Sequence, residues 1–107
     1  MQNMEYKVKF TEKCLEDIEE ACQYMEEKLK EENVANRFRM KIEDSVKELS
    51  ISPQMYARTE KFDRVKRNYR KIPIGSYVLL YIIDEENKVV YLSHMYYAGR
   101  NYLDGLI

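Results

Sequence analysis

The sequence predicts a single α+β domain over residues 1–107, in which a two-helix hairpin covers one face of an antiparallel β-sheet in the order β-α-α-β-β-β. Residues 69–97 contain three runs rich in β-branched and aromatic residues, separated by short polar turns. Two earlier stretches carry apolar residues at alternating spacings of three and four, which is typical of amphipathic helices. The middle strand is apolar on both sides of its alternation, so one of its faces needs a helical layer.

The chain opens with a short strand and a first helix. Tyr6, Val8 and Phe10 alternate with lysines over residues 5–10, which predicts a strand with one solvated face that joins the sheet. Thr11 has the hydroxyl that a helix N-cap requires. The expected apolar stripe of the first helix is Leu15, Ile18, Cys22, Met25 and Leu29.

A second helix is expected after the polar run at residues 31–33, with Asn33 as its N-cap. Its predicted stripe is Val34, Phe38, Ile42, Val46 and Leu49. Pro53 ends the helix because proline lacks the amide donor and restricts the residue before it. The short connection implies an antiparallel helix hairpin. Residues 54–66 are then expected to form a loop with a turn of helix.

Three strands follow, over residues 69–74, 77–83 and 89–97. Gly75 and Ser76 separate the first two, and a polar run at residues 84–87 separates the last two. Joins this short require antiparallel neighbours, since a parallel return needs a crossover of about a dozen residues or more. The sequence therefore predicts a three-stranded meander.

Charge is unevenly distributed along a chain whose formal net charge is −1. Residues 12–32 hold nine acidic and three basic side chains, a balance of −6. Residues 58–71 hold seven basic and two acidic side chains, a balance of +5. We expect no bulk affinity for nucleic acid, but different partners at the two charged regions.

Cysteine use and hydropathy favour a cytoplasmic protein. Cys14 and Cys22, on one helix, would lie about 12 Å apart, which is beyond the reach of a disulfide. A reducing compartment is therefore expected. No run approaches the roughly 18 apolar residues of a membrane span, and the first ten residues lack the apolar core of a signal peptide. We expect no membrane association, no cofactor and no metal.

Three segments resemble the RelE/ParE superfamily, the toxins of bacterial type II toxin–antitoxin modules. They are YKVKFTEKCLEDI at the start, NYRKIPIGSYVLLYIID in the middle and HMYYAGRNYLDGL near the end. The resemblance implies a compact protein that halts growth until a cognate antitoxin binds it. It leaves two activities open, because RelE-like members cut mRNA in the ribosomal A site and ParE-like members poison DNA gyrase.

Metal-free RNA cleavage of the RelE kind needs a base, an acid and cations around one phosphate. The cationic candidates are Arg70, Lys71 and Arg100, and the proton-transfer candidates are His94, Tyr97 and Tyr102. In a regular strand Arg70 and Lys71 point to opposite faces, so we expect at most one of them to share a site with Arg100. Arg100 lies in AGRNY, where the resemblance implies a functional arginine. The alternative for His94, the sole histidine, is a packing or hydrogen-bonded strand residue.

One departure from the RelE pattern favours the ParE-like activity. RelE-like enzymes resemble this chain at Tyr77 but carry an arginine immediately afterwards, where this chain has Val78. The preferred hypothesis is therefore a toxin that acts on DNA gyrase or a related target. The alternatives are a ribosome-dependent mRNA endoribonuclease centred on Arg70, Arg100 and Tyr102, and a degenerate toxin that retains only antitoxin binding.

Two surfaces have open interpretations. The basic segment at residues 57–71 could bind RNA or another target, or it could be a solvated loop that meets an acidic antitoxin. Its candidate binding residues are Lys61, Arg64, Lys66, Arg67 and Lys71. The sheet face away from the helices, with the groove beside the hairpin, is expected to expose an apolar patch. An antitoxin segment or a second copy of the chain in a homodimer would cover it.

Overall fold

The computed structural model describes residues 5–28, 32–59 and 68–98. In chain order the elements are β1 (Lys7–Phe10), α1 (Glu12–Lys28), α2 (Glu32–Ile51), a 3₁₀ turn (Pro53–Met55), β2 (Arg70–Ile74), β3 (Tyr77–Asp84) and β4 (Val89–Tyr97). This is the predicted α+β order, and the 3₁₀ turn begins at Pro53, one residue before the segment predicted to contain a turn of helix. Within the described residues, no helix is long and apolar enough to cross a membrane.

The four strands form one sheet in the order β1-β4-β3-β2. The β2–β3 and β3–β4 pairs are antiparallel, as the short turns predicted. β1 joins the sheet at its edge but lies parallel to β4, so the sheet is mixed rather than wholly antiparallel. A parallel pair is possible here because the whole helix hairpin and two strands separate β1 from β4 in the chain.

Thr11 caps α1 as predicted, because its Oγ1 accepts a hydrogen bond from the Cys14 amide at 3.1 Å. The apolar stripe predicted for α1 was wrong at Leu15. Leu15 is 52% exposed, whereas Cys14 is fully buried. The two neighbours project about 100° apart on a helix, and contact with the sheet, rather than hydropathy, decides which one faces inward. Leu29 lies outside the described residues.

The N-cap predicted for α2 is wrong. The helix already includes Glu32, so Asn33 lies inside its first turn. A polar residue there costs only tenths of a kcal/mol, so a polar run does not have to end or begin a helix. The predicted stripe does face the core, with Phe38, Ile42 and Leu49 buried. The helix ends at Ile51, two residues before Pro53, as expected.

The main core lies between the two helices and one face of the sheet. The largest side chains that are fully buried there are Tyr81, Leu49, Ile72, Leu79 and Leu92. A smaller cluster lies on the opposite face, where Tyr69, Val78 and Leu80 pack with Ile82, Tyr96 and Ala98 partly buried. Val78 is 7% exposed and Leu80 is 5% exposed. The expected exposed apolar patch is therefore wrong for this face of the sheet, whereas the groove beside the helix hairpin, the other part of that expectation, is lined by apolar and aromatic residues.

A β-bulge in β4 sets which side chains reach each face. The register shifts between Leu80 and Tyr81, which pair with His94 and Leu92 and leave Ser93 as the extra residue. As a result Leu92 and Met95 both join the helix-side core. His94 lies on the opposite face, across from Leu80.

Helix α1 closes the edge of β4 where β1 ends. Thr11 Oγ1 donates to the Ser93 carbonyl at 2.8 Å, and the Met95 amide donates to Asp17 Oδ2 at 3.0 Å. Asp17 also pairs with Lys13 at 2.8 Å. These contacts satisfy backbone groups that an edge strand would otherwise leave unpaired.

Candidate functional site

Arg70 is held by the protein's own backbone. Its Nη1 donates to the Tyr56 carbonyl at 2.6 Å and to the Gln54 carbonyl at 3.1 Å. Tyr81, its cross-strand neighbour, donates from its buried hydroxyl to the Pro53 carbonyl at 2.6 Å. The two side chains together fix the segment around the 3₁₀ turn against the helix-covered face of the sheet.

The chain after this segment runs back along the outer edge of β2. Arg58 bridges Arg70 in an antiparallel pair, the Thr59 amide donates to the Tyr69 carbonyl at 2.8 Å, and the Lys71 amide donates to the Ala57 carbonyl at 3.2 Å. This pattern makes Arg58 and Arg70 a non-hydrogen-bonded pair, the kind with the closest side chains. The start of the basic segment is therefore paired with β2, in which the segment ends.

Six of the predicted site residues lie outside the described part of the chain. They are Lys61, Arg64, Lys66, Arg67, Arg100 and Tyr102. Arg70, Lys71 and His94 are described, and the sheet separates them. Arg70 pairs with Tyr81, whose side chain is in the helix-side core. Lys71 and His94 both pair with Leu80, which lies on the opposite face, so the predicted division of Arg70 from Lys71 is confirmed.

His94 lines a depression that residues of β3, β4 and α1 form together with Tyr69. Its Nδ1 is 2.8 Å from Ser93 Oγ, and its ring makes an edge contact with Tyr69 at a centroid distance of 6.4 Å. The depression has a volume of about 370 Å³ and is lined by Lys13, Asp17, Tyr69, Leu80, His94, Met95 and Tyr96. The imidazole of His94, the phenol of Tyr69 and the ammonium group of Lys13, which comes from α1, thus line one depression. Val78 is buried beside them and contributes no charge.

A second candidate surface, at the end of the sheet, is built from three tyrosines. Tyr77 stacks at 5.2 Å from Phe38 and at 5.4 Å from Tyr97 in tilted and edge geometries. Tyr24 is 53% exposed and Tyr97 is 63% exposed. We call Tyr24, Tyr77 and Tyr97 the tyrosine wall. Tyr24 is not among the candidates predicted from the sequence, although an aromatic residue outside the apolar stripe of a helix was a usable signal.

Two grooves meet at the tyrosine wall. One, of about 590 Å³, runs between α1 and the end of β4 and is lined by Asp17, Glu20, Ala21, Met95 and Tyr96 besides the wall. The other, of about 410 Å³, lies between the helix hairpin and the β2–β3 turn. Its lining adds Met25, Val34, Arg37, Phe38, Lys41, Gly75 and Ser76. Apolar walls with few polar groups are typical of surfaces that bind a partner.

The ionisable groups near the core are shifted towards their neutral forms. Burial, with the neighbouring Tyr24 and Tyr97, raises the pKa of Tyr77. Burial also raises the pKa of the Cys14 thiol to about 12. A thiol with such a pKa is neutral at physiological pH, so Cys14 is a packing residue rather than a nucleophile.

The family model for the ParE toxin of type II toxin–antitoxin systems, parDE, matches residues 8–102. No curated protein sequence matches the chain. Among solved structures, the chromosomal ParDE system of P. aeruginosa is similar with a TM-score of 0.67 at 14% identity, covering 89% of this chain and 98% of that one.

Two further structures have the same fold. The toxin–antitoxin complex RelBE2 of Mycobacterium tuberculosis matches with a TM-score of 0.62 at 20% identity, over 90% of this chain and 94% of that one. The isolated RelE toxin of E. coli matches with a TM-score of 0.60 at 20% identity, over 94% of this chain and 92% of that one. Identities this low show the fold alone. The family match, which spans most of the sequence, shows that this chain belongs to the ParE toxins of type II toxin–antitoxin systems, within the RelE/ParE superfamily.

Proposed function

We propose that this toxin arrests growth by binding DNA gyrase or a related target, in the manner of ParE, and not by cutting RNA. The observation that supports the proposal is that Arg70 and His94, the described candidates for the cation and the proton-transfer group, lie on opposite faces of the sheet. The Arg70 guanidinium is bound to the carbonyls of Gln54 and Tyr56 on the helix side. His94 lies on the other side.

RNA cleavage needs the base, the acid and the cation to act on one phosphate, within hydrogen-bonding distance of its oxygens. Side chains that project from opposite faces of a sheet do not reach one phosphate. Val78 is apolar and buried at the position where the RelE pattern has an arginine. Both facts favour a toxin that acts by binding its target and not by cutting RNA.

The second candidate is a RelE-like endoribonuclease, favoured by one local arrangement. Tyr69, Lys71 and His94 share the face away from the helices, and Tyr69 contacts His94. Lys71 and His94 flank Leu80, so their backbones lie about 10 Å apart across two strand spacings. Such a spacing suits groups that bind opposite sides of one nucleotide. Arg100 and Tyr102, predicted for the same role, would then join them.

A cognate antitoxin is the proposed regulatory partner. The M. tuberculosis RelBE2 structure is a toxin–antitoxin complex, and the P. aeruginosa structure is a ParDE toxin–antitoxin system. In this chain the tyrosine wall and its two grooves are the exposed apolar surface suited to hold such a partner. A degenerate toxin would keep this antitoxin-binding surface but would not inhibit growth.

Mapping of mRNA 5′ ends after induced expression without antitoxin tests the proposal. We expect growth to stop while messages acquire no new ends within translated codons. Codon-internal cuts that disappear in a Lys71→Ala, His94→Ala double variant would overturn the proposal in favour of the endoribonuclease. Unimpaired growth, with the protein present and folded, would instead indicate a degenerate toxin.

A further inference from the structure

The larger groove, of about 590 Å³ between α1 and the end of β4, differs in charge from the other two cavities described above. Its charged lining residues are Asp17 and Glu20, and no lysine, arginine or histidine of the described residues joins them. The groove beside the helix hairpin instead includes Arg37 and Lys41, and the depression on the other side of α1 includes Lys13. The lining of the larger groove therefore favours a positively charged occupant.

The two carboxylates in the larger groove are not equivalent. Asp17 is already occupied, because its Oδ1 pairs with Lys13 at 2.8 Å and its Oδ2 accepts a hydrogen bond from the Met95 amide at 3.0 Å. Glu20 is exposed, and the described part of the chain places no basic side chain within 4 Å of it. Glu20 is therefore the carboxylate that can accept charge-assisted hydrogen bonds from a bound cation.

The tyrosine wall supplies aromatic rings beside this carboxylate. Tyr24 follows Glu20 by one helical turn, so the two side chains lie on the same face of α1. Tyr77 and Tyr97 lie across the groove, with ring centroids 5.4 Å apart and ring planes at 73°. Rings at this angle form a corner and do not stack face to face. The faces of tyrosine rings attract ammonium and guanidinium groups, which are recognised in proteins by aromatic cages.

We propose that the larger groove binds a small organic cation of the polyamine class. One ammonium group of the ligand lies against the tyrosine wall and donates hydrogen bonds to Glu20. The methylene chain of the ligand packs along Ala21 and Met95, which complete the lining. This adds a small-molecule site to the toxin and does not depend on which target the toxin acts on.

The chemistry of the lining decides between this ligand class and others. An anion would be repelled by both carboxylates, and a neutral apolar molecule would gain nothing from Glu20. A bare metal ion needs several oxygen ligands, and the described residues contain no group of three acidic, histidine or cysteine side chains that could hold one. An alkylammonium ion uses the rings, the carboxylate and the apolar surface together. The volume lies within the range of about 300 to 1,000 Å³ that is typical of small-molecule sites.

Calorimetric titration of the full-length toxin with spermidine tests the proposal. We expect saturable binding of one spermidine per chain at about 0.15 M NaCl, where weak surface attraction is screened. Glu20→Gln should weaken binding about 2- to 5-fold, the range for an exposed charge pair. Tyr97→Leu should weaken it about 2- to 5-fold, because leucine keeps the apolar surface but has no ring face.

Two matched controls should bind spermidine like wild type. Glu27→Gln makes the same change as Glu20→Gln on α1, and Tyr91→Leu makes the same change as Tyr97→Leu on β4. Neither Glu27 nor Tyr91 lines the groove. Glu20 is exposed, so its variant keeps the test valid even if Tyr97→Leu does not fold.

Four results would overturn the proposal. The first is an absence of saturation by about 10 mM spermidine. The second is an equal loss in Glu20→Gln and Glu27→Gln, which would show general attraction to the acidic helix. The third is binding of the neutral analogue octanediol as tight as that of spermidine, which would show that the groove selects apolar molecules and not cations. The fourth is tighter binding of Nα-acetyllysine amide than of spermidine, which would assign the groove to a lysine side chain of a protein.

Discussion

The middle strand places apolar residues on both faces of this sheet, but the two faces have different roles. On the helix side, Leu79 and Tyr81 are fully buried in a core that both helices complete. On the other side, Val78 and Leu80 form a cluster with Tyr69, the three buried members within the described part of the chain, bordered by His94 and Lys71. Burial alone therefore does not reveal which face stabilises the fold. The number of helices and strands that pack around a buried side chain shows which face stabilises the fold.

The largest difference between the faces should appear in a matched pair of truncations in β3. We expect Leu79→Ala to lower the free energy of unfolding by about 3 to 4 kcal/mol, because the cavity it leaves is enclosed by helices and sheet. Leu80→Ala should cost about 2 kcal/mol or less, since a thin cluster can collapse onto the gap. Urea unfolding of both variants measures the difference. Equal losses would contradict the assignment of the main core to the helix side.

A second pair compares adjacent cations in β2 that project to opposite faces. Arg70→Ala leaves the carbonyls of Gln54 and Tyr56 without their donor, so we expect a loss of about 1 to 2 kcal/mol. Lys71→Ala is the control and should change stability by less than about 0.5 kcal/mol. Urea unfolding again provides the measurement. An Arg70→Ala protein as stable as wild type would show that the guanidinium is free to bind a target.

The smallest expected effect is a pH dependence at the edge of the helix-covered face. Glu85 accepts hydrogen bonds from the Tyr6 hydroxyl at 2.6 Å and from Gln54 at 2.8 Å, and these bonds lower the pKa of its carboxyl. A lowered pKa in the folded state contributes stability above the unfolded pKa of about 4.3, and this stability is lost as pH falls through the folded value.

We therefore expect wild type to be slightly more stable than Glu85→Gln above pH 5, with the difference vanishing at lower pH. Thermal unfolding between pH 3 and 7 measures it. The double variant Tyr6→Phe, Gln54→Ala removes both donors and serves as the control, since it should flatten the wild-type dependence. A difference between wild type and Glu85→Gln that persists at pH 3 would contradict the assignment.

The elements that the sequence predicted are those whose pattern is local. Turn residues and alternation predicted the meander, and helical spacing with Thr11 predicted α1. Most of the failures involve tertiary contacts. The parallel direction of β1 and the exposure of Leu15 depend on where β4 and α1 meet, which no window of sequence contains. Asn33 shows that a polar run does not locate a helix start.

The candidate site was predictable only in part. Strand alternation correctly separated Arg70 from Lys71, because that periodicity is a property of the backbone. It could not show that Arg70 binds the carbonyls of a segment 14 and 16 residues earlier in the chain. The tyrosine wall was missed for the same reason, since Tyr24, Tyr77 and Tyr97 come from three separate elements.

Supercoiling of relaxed plasmid by purified gyrase, titrated with this toxin, tests most directly whether it acts by contact. We predict a dose-dependent loss of supercoiling that the antitoxin reverses, with the Lys71→Ala, His94→Ala variant retaining inhibition close to that of wild type. Gyrase that remains fully active under an excess of toxin, from a preparation that still arrests translation in a cell extract, would contradict the account.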